Sequence, residues 1–433
     1  MALLRATQLL ILLVFFEVAT TLKVPNTDYD VIIVGGGPAG LSAQSGLSRV
    51  RRKTLLVDSG AYRNGLTRHM HDVIGNDGTI RDSFLYFAVS FLTGFSPGTV
   101  PSIFRYEARQ QISNYTTATM GNGTVTDIFP LMSGIFGFPE FAVSISGFQK
   151  YSANPTGPEP PRKDVVYTAR RVVLATGMED ILPDTPYISN FWSRGIYWCP
   201  WCDGFEHRDQ SIGILGNLSD VIDSVHEIAT LNHDIIAFTN GTYIPEQEAE
   251  AAKKSATWKQ ELDKYGVKFE DRRIEMINRT MDGSVYFNTE NRSEFDAFTV
   301  KLAGDNKLIE RAAFVTNFPT KQRSDLAYKL NLDMKGVKIE NDFDGMNTSF
   351  PGIFAVGDCN NDDSTNVPHA MFSGKRAAVY IHVALEKENA TAMISPIPDK
   401  RAVPLSIREL QKNAEREIGD DFETLWAKAR LSS

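Results

Sequence analysis

The chain has 433 residues, 42% hydrophobic and 23% charged, with a formal net charge of −8. That length is more than one core can fill and implies two or three domains. The composition excludes a fibrous or disordered chain, and an acidic balance without a Lys/Arg block argues against nucleic acid as a partner.

In chain order, the first signal is an address. Arg5 precedes an unbroken apolar run, Leu9 to Phe16, and small residues follow at Ala19, Thr20 and Thr21. This pattern predicts a secretory signal peptide over residues 1–21. The run is too short for ~30 Å of bilayer hydrocarbon. An uncleaved interfacial anchor is the alternative, and no membrane association is expected after cleavage. Eight Asn-x-Ser/Thr sequons follow, at Asn114, Asn122, Asn217, Asn240, Asn278, Asn291, Asn347 and Asn389. Behind a leader they predict a secreted, N-glycosylated protein.

Tyr29–Val34 reads as a buried strand, Leu41–Leu47 as a helix and Leu55–Asp58 as the next strand, a βαβ opening. Residues 60–165 are less regular: segments 93–104 and 119–160 are rich in Gly, Ser, Thr and Pro, Pro155 to Pro161 holds four prolines in seven residues, and the region is expected to form loops and short strands inserted in the first domain. Val172–Gly177 is another buried strand. Ser211–Leu215, Asp220–Leu231 and Asp234–Phe238 form a second strand–helix–strand unit. Strands near Ala312–Val315 and Gly352–Asp358, then a helix over Ala370–Leu385, complete the pattern. The tail beyond 400 is charged.

The strongest motif is Gly35-Gly-Gly37-Pro38-Ala39-Gly40, between strand and helix, with Asp58 and Ser59 after the next strand. Gly35 permits the tight turn, Gly37 lets backbone approach a pyrophosphate, and Gly40 lets helix and strand pack closely. The helix N-terminus offers N–H donors to phosphate, and Asp58 can accept a ribose hydroxyl.

The cysteines are few for a secreted chain: Cys199, Cys202 and Cys359. Two form one C-x-x-C, a redox or metal spacing. A structural zinc site needs two further ligands, and no second C-x-x-C or H-x₃-H exists. Redox chemistry fits better. Cys359 is expected to be buried and inert.

The fingerprint, Ala175-Thr176-Gly177, Cys199-Pro-Trp-Cys202-Asp203-Gly204 and Gly357-Asp358, in this order, resemble the low-molecular-weight thioredoxin reductases over roughly residues 28–390. The resemblance implies an α/β fold with two Rossmann-like nucleotide-binding domains. The FAD-binding domain is then discontinuous, over 28–188 and 312–400. A dithiol-bearing, NADPH-type domain occupies 189–311, and a tail occupies 401–433. It implies that Asp358 holds the flavin's ribityl chain and that Val367-Pro-His-Ala lies beside the ring. Cys202 should face the flavin and Cys199 should exchange with substrate. Asp203 takes the family's acid/base position, with His207 and His369 as alternative proton carriers. Trp198 and Trp201 either shape the substrate pocket or pack in the core. Relatives form symmetric dimers, so a homodimer is expected.

One stretch departs from the family. The second unit reads Gly213-Ile-Leu-Gly216-Asn217-Leu218-Ser-Asp220. Leu218 stands where backbone should meet pyrophosphate, Asp220 adds negative charge, and Thr239-Asn-Gly-Thr stands where basic residues would hold a 2′-phosphate. No NADPH is therefore expected. Electrons would enter from thiols and leave through FAD to O₂, a direction that thiol couples near roughly −200 mV allow. This pattern resembles secreted fungal sulfhydryl oxidases that act on small thiols such as glutathione. It also resembles dithiol oxidases of gliotoxin-type metabolites, some of which carry His after the second cysteine. A working NADPH-dependent reductase and a flavin-binding glycoprotein with an inert dithiol are the remaining alternatives.

Overall fold

The computed structural model describes residues 24–74, 100–131, 138–153, 159–288, 290–304, 306–363 and 365–394. The expected signal peptide, part of the proline-rich 155–161 stretch and the 401–433 tail lie outside the described residues. One unit, Pro25–Glu386, contains almost all of them.

The strand Tyr29–Val34 alternates its side chains between two faces. Ile32 and Val34 join Phe141, Val143 and Ile145 in one core. Val31 and Ile33 join Ala39, Ala43, Leu47, Ala377 and Ile381 in another. A strand apolar on both faces belongs in the middle of a parallel sheet, and this one sits between Thr54–Asp58 and Lys163–Leu174, both parallel to it. Ile353–Ala355 pairs beyond Lys163–Leu174, also parallel. The helix Pro38–Arg49 starts earlier than its sequence pattern indicated, because Pro38 fits its first turn.

The region read as loops and short strands is a correction. Ala118–Pro130 is a strand of 13 residues and Phe141–Lys150 one of 10. They pair antiparallel, with register shifts between Asn122/Thr124 and Val125/Asp127. Glycine enrichment here marks bulges rather than loops. Gly123 has φ +153, and a Cβ there would meet Ile145 and Phe148 at 3.1 Å. Pro101–Ser113, within the same 60–165 region, is a helix.

The second sheet is parallel, in the order Lys268–Glu270, Ile235–Phe238, Ile212–Leu215, Ala313–Thr316, Ile196–Tyr197. The boundary expected at residue 312 therefore moves: Ala313–Thr316 pairs with Ile212–Leu215 and belongs to the dithiol-bearing sheet. The chain returns toward the first sheet at Thr320–Gln322, which pairs with Met178–Asp180. The last helix is longer than expected, Val367–Ile394. Among the described residues no helix is long and apolar enough to cross a membrane.

Candidate functional site

A cleft of about 640 Å³ runs along the C-terminal ends of the first sheet's parallel strands. Gly35, Gly37, Pro38 and Ala39 line one end, with Asp58 and Ser59 beside them. Thr176, Gly177, Gly357, Asp358 and Val367 line it too, and Cys202 and Asp203 form part of its wall. Gly40 does not line it. A Cβ on Gly40 would lie 2.0 Å from the Gly35 carbonyl oxygen, so its role is helix–strand packing. Gly35 has φ +117, which disfavours any side chain. At Gly37 a Cβ would meet nothing within 4 Å, so the backbone there faces open cleft. The first turn of Pro38–Arg49 receives no capping side chain, which leaves its N–H groups for a ligand phosphate. The open Gly37 cradle, the uncapped helix start and Asp58 together fit an adenine dinucleotide, and a cleft this long fits FAD.

Asp58 is more engaged than its motif indicated. It accepts hydrogen bonds from the Gly60 N–H at 2.9 Å and from the Tyr62 hydroxyl and the Arg109 guanidinium. Burial, then Asp58's charge, pushes the Tyr62 hydroxyl up to about 12. Asp358 is paired with Arg63 at 3.2 Å, and the same guanidinium clamps Asp180 at 2.6 Å. Burial raises the Asp358 carboxyl and Arg63 pulls it back. Arg63 also lies 4.9 Å over the ring of Trp198, one residue before the dithiol.

Cys199 and Cys202 form a disulfide across the four-residue helix Pro200–Asp203. Cys202 and Asp203 N–H groups both donate to the Cys199 carbonyl, at 3.0 and 3.1 Å. Cys202 lines the cleft, and Cys199 does not. Trp198 lines the cleft and stacks on Trp192 at 5.3 Å, whereas Trp201 is 64% exposed. Loss of water around Asp203 pushes its carboxyl up to about 7; His71 pulls it down, and Glu206 and Glu294 push it further up. Cys359 is buried, its thiol donates to the Leu174 carbonyl at 3.3 Å, and burial pushes it up to about 11. It is an inert packing thiol.

The two expected proton carriers do not reach the cleft. His207 is 2% exposed, stacks on Tyr197 at 5.8 Å, and is lowered by burial. His369 bonds Asp362 at 2.5 Å and is also absent from the cleft lining. His69 and His71 line the wall instead. They come from the segment after Thr54–Asp58, which carries no motif. The only sequence signal was the closely spaced Arg68-His69-Met-His71.

The same segment ties the dithiol-bearing domain to the cleft. Arg68 bonds Glu294 at 2.6 Å, Asp296 at 2.8 Å and Asp282 at 2.9 Å. Burial opposes ionisation of Glu294, but the His69 hydrogen bond and Arg68 bring it down to about 2. His207, Glu294 and Asp296 approach one another as metal ligands would. Arg68 already pairs with both carboxylates, and Arg279 lies 3.7 Å from Asp296, so the cluster is an ion-pair network.

The second glycine turn is built differently. Leu218 is fully buried among Val221, Ile222 and Val225 in its own domain core. This corrects the expectation that its side chain fills the phosphate space. Thr242 Oγ1 accepts the Leu218 N–H at 3.1 Å, and Gln247 Oε1 accepts the Ser219 N–H at 3.4 Å. Thr239–Tyr243 wraps Asp271, whose carboxylate accepts from the Thr239 hydroxyl and from the Gly241 and Tyr243 N–H groups at 2.6–3.0 Å.

Residues 29–219 match the pyridine nucleotide-disulphide oxidoreductase family. The chain is 44% identical over 405 residues to a probable thioredoxin reductase of Arthroderma benhamiae, covering 93% of this chain and 90% of the relative. It is 28% identical to thioredoxin reductase tcpT of Claviceps purpurea, covering 80% and 90%. The solved oxidoreductase of Agrobacterium tumefaciens superposes with a TM-score of 0.62 at 28% identity, over 83% of this chain and 99% of that one. Two Rossmann-like sheets, the first mixed and the second parallel, a flavin-sized cleft and a Cys-x-x-Cys on its wall agree with these likenesses. The chain belongs to the thioredoxin reductase-like family of pyridine nucleotide-disulphide oxidoreductases.

Proposed function

We propose that this protein is a secreted, FAD-dependent thiol oxidase that converts two small thiols, glutathione among them, and O₂ into a disulfide and H₂O₂. The observation that carries the reading is the pairing of an open first nucleotide turn with a second turn already satisfied by the chain's own side chains. Thr242 and Gln247 take the N–H groups that a nicotinamide dinucleotide's phosphates would need, and Asp271 puts a carboxylate where a basic side chain should stand.

FAD, held by the Gly35–Ala39 turn, Asp58, Thr176, Gly177, Gly357, Asp358 and Val367, supplies a two-electron acceptor that O₂ can reoxidise. The chain's residues supply the thiol chemistry. Cys199, off the cleft, meets the substrate thiolate. Cys202, on the cleft wall, is the leaving sulfur. Asp203, poised near neutrality, gives that sulfur a proton. Trp201, exposed between the cysteines, offers an apolar surface to the incoming thiol. The leader over residues 1–21 and the exposed sequons at Asn114, Asn217, Asn240, Asn291 and Asn347 support export and glycosylation. We expect no nucleic acid or membrane partner, and a homodimer in solution, which light scattering tests.

Oxygen uptake by the purified yellow protein, given reduced glutathione and no NADPH, tests the reading. Catalytic uptake with peroxide formation should fall to background in Cys199→Ser and in Cys202→Ser. Anaerobic bleaching by NADPH, with no thiol-driven uptake, would overturn it in favour of the reductase named among the relatives. Turnover of a single bulky dithiol, with glutathione inert, would favour a biosynthetic dithiol oxidase.

A further inference from the structure

Beside Asp203, the residue after Cys202, lies a second, smaller cavity of about 10 Å³, enclosed by polar side chains, at the lower limit for one water. His69, His71 and Asp203 line both this cavity and the large cleft, so they are the wall between the two. Three buried polar atoms in this cluster have no hydrogen-bond partner: Ser193 Oγ, Tyr197 Oη and His207 Nδ1. Groups of this kind are costly to leave unpaired, and a cavity of this size lets a single water serve them.

The two histidines of the wall are held differently. His69 Nδ1 lies 3.3 Å from Glu294, which is already committed to Arg68. His71 Nδ1 lies 3.6 Å from Glu206. Among the charges acting on Asp203, His71 is the largest, ahead of Glu206, Glu294 and Arg68. Tyr197 and His207 complete the set of titratable groups facing this space, with Asp296 behind His207. The sequence makes this possible through one loop. Residues 68–71 leave the first sheet's domain and enter the wall of the dithiol site, anchored by Arg68 to Asp282, Glu294 and Asp296.

We propose that His71 is a positioning residue for the dithiol chemistry: braced by Glu206, it sets the protonation of Asp203 and passes that proton to and from the small cavity beside Asp203. The inference rests on thiol exchange at Cys199–Cys202 but not on the final electron acceptor. A substrate thiolate, its proton released to solvent, attacks Cys199 Sγ. An S–S bond forms to substrate, and the Cys199–Cys202 bond breaks. Cys202 leaves as thiolate and takes the proton of Asp203. A second substrate thiolate, also deprotonated to solvent, attacks the mixed disulfide. It carries off the substrate disulfide and leaves Cys199 as thiolate. One of the released protons returns through His71 to Asp203. Two thiols lose two electrons, the enzyme disulfide gains them, and of the two protons one ends on Cys202 and one in solvent.

The test is the pH profile of disulfide reduction by dithiothreitol in the flavin-loaded protein. Samples are acid-quenched, alkylated and counted for free thiols by mass, so no flavin turnover is read. The rate is followed against pH, with the alkaline limb assigned to Asp203 by its loss in Asp203→Asn. His71→Gln should move that limb up by about one pH unit or more, since a facing cation is removed. His71→Lys should bring it back toward the wild-type position. Retained yellow colour checks folding, and if the Lys variant does not fold, the Gln variant alone decides. An unmoved limb in His71→Gln, with rates scaled evenly at all pH values, means that His71 only packs, and overturns the inference. If NADPH bleaches the wild type but the limb still moves, the oxidase reading fails and this one stands.

Discussion

Two glycine turns in this chain begin alike and end differently. Each follows a buried parallel strand and opens a helix, Pro38–Arg49 in one case and Leu218–Ile228 in the other. At the first, a Cβ on Gly37 would meet empty space, and no side chain caps the helix. At the second, Thr242 and Gln247 reach in from the neighbouring loop and helix and take the free N–H groups. The phosphate-binding capacity of a helix start resides in unsatisfied donors. A turn loses it when the chain supplies its own acceptors, even where the strand–helix frame survives.

The largest expected effect breaks the first turn. Gly40→Val should abolish flavin retention, because even the first side-chain carbon would lie 2.0 Å from the Gly35 carbonyl oxygen. The absorbance of the purified protein checks it. Next is the tie that holds the dithiol beside the open turn. Arg68→Met removes the guanidinium that Glu294 and Asp296 share and leaves them only His69 and the more distant Arg279, and should cost about 3–5 kcal/mol in chemical denaturation.

Titration separates these carboxylates further. Glu294, lowered to about 2, stabilises the fold above its ordinary value of 4.5, and that contribution is lost as pH falls toward 2. Asp203, raised to about 7, has the opposite sign: its carboxylate destabilises the fold above pH 7, and the penalty fades as pH falls toward 3.8. Asp203→Asn should therefore raise the melting temperature more at pH 8 than at pH 5. Equal shifts at both pH values would place Asp203 outside the desolvated wall.

Smaller effects probe the second turn. Thr242→Ala removes the acceptor of the Leu218 N–H and should cost about 0.5–2 kcal/mol, as a lost cap does. It should not confer bleaching by NADPH, because Asp271 still fills the adjoining loop. If bleaching appears, the two turns differ by one hydroxyl only. Asn217 is the cap residue by position but makes no side-chain cap hydrogen bond, so Asn217→Ala should change urea stability by less than about 0.5 kcal/mol.

The frame of the first domain was legible because its signals are local. Apolar runs bounded by glycine, and the Gly35–Gly40 spacing with Asp58 after the next strand, report on neighbours within one βαβ unit. The long strands Ala118–Pro130 and Phe141–Lys150 were missed because their glycines sit at bulges, where turn composition mimics a loop. Asp203 was found through its place after Cys202. His71 was not, because nothing near residue 71 in sequence indicates that it will face residue 203.

By itself, the sequence determined the two strand–helix–strand units, the redox cysteine pair and the dinucleotide fingerprint, since each depends on residue types at fixed short spacings. Only the tertiary structure decided which helix start stays open, that Leu218 turns into its core, and that the wall of the dithiol site is His69, His71 and Asp203 rather than His207 or His369. Those outcomes depend on loops from distant parts of the chain meeting one another, and the hydrogen bonds and buried charges that select the meeting are formed only once both sheets have folded.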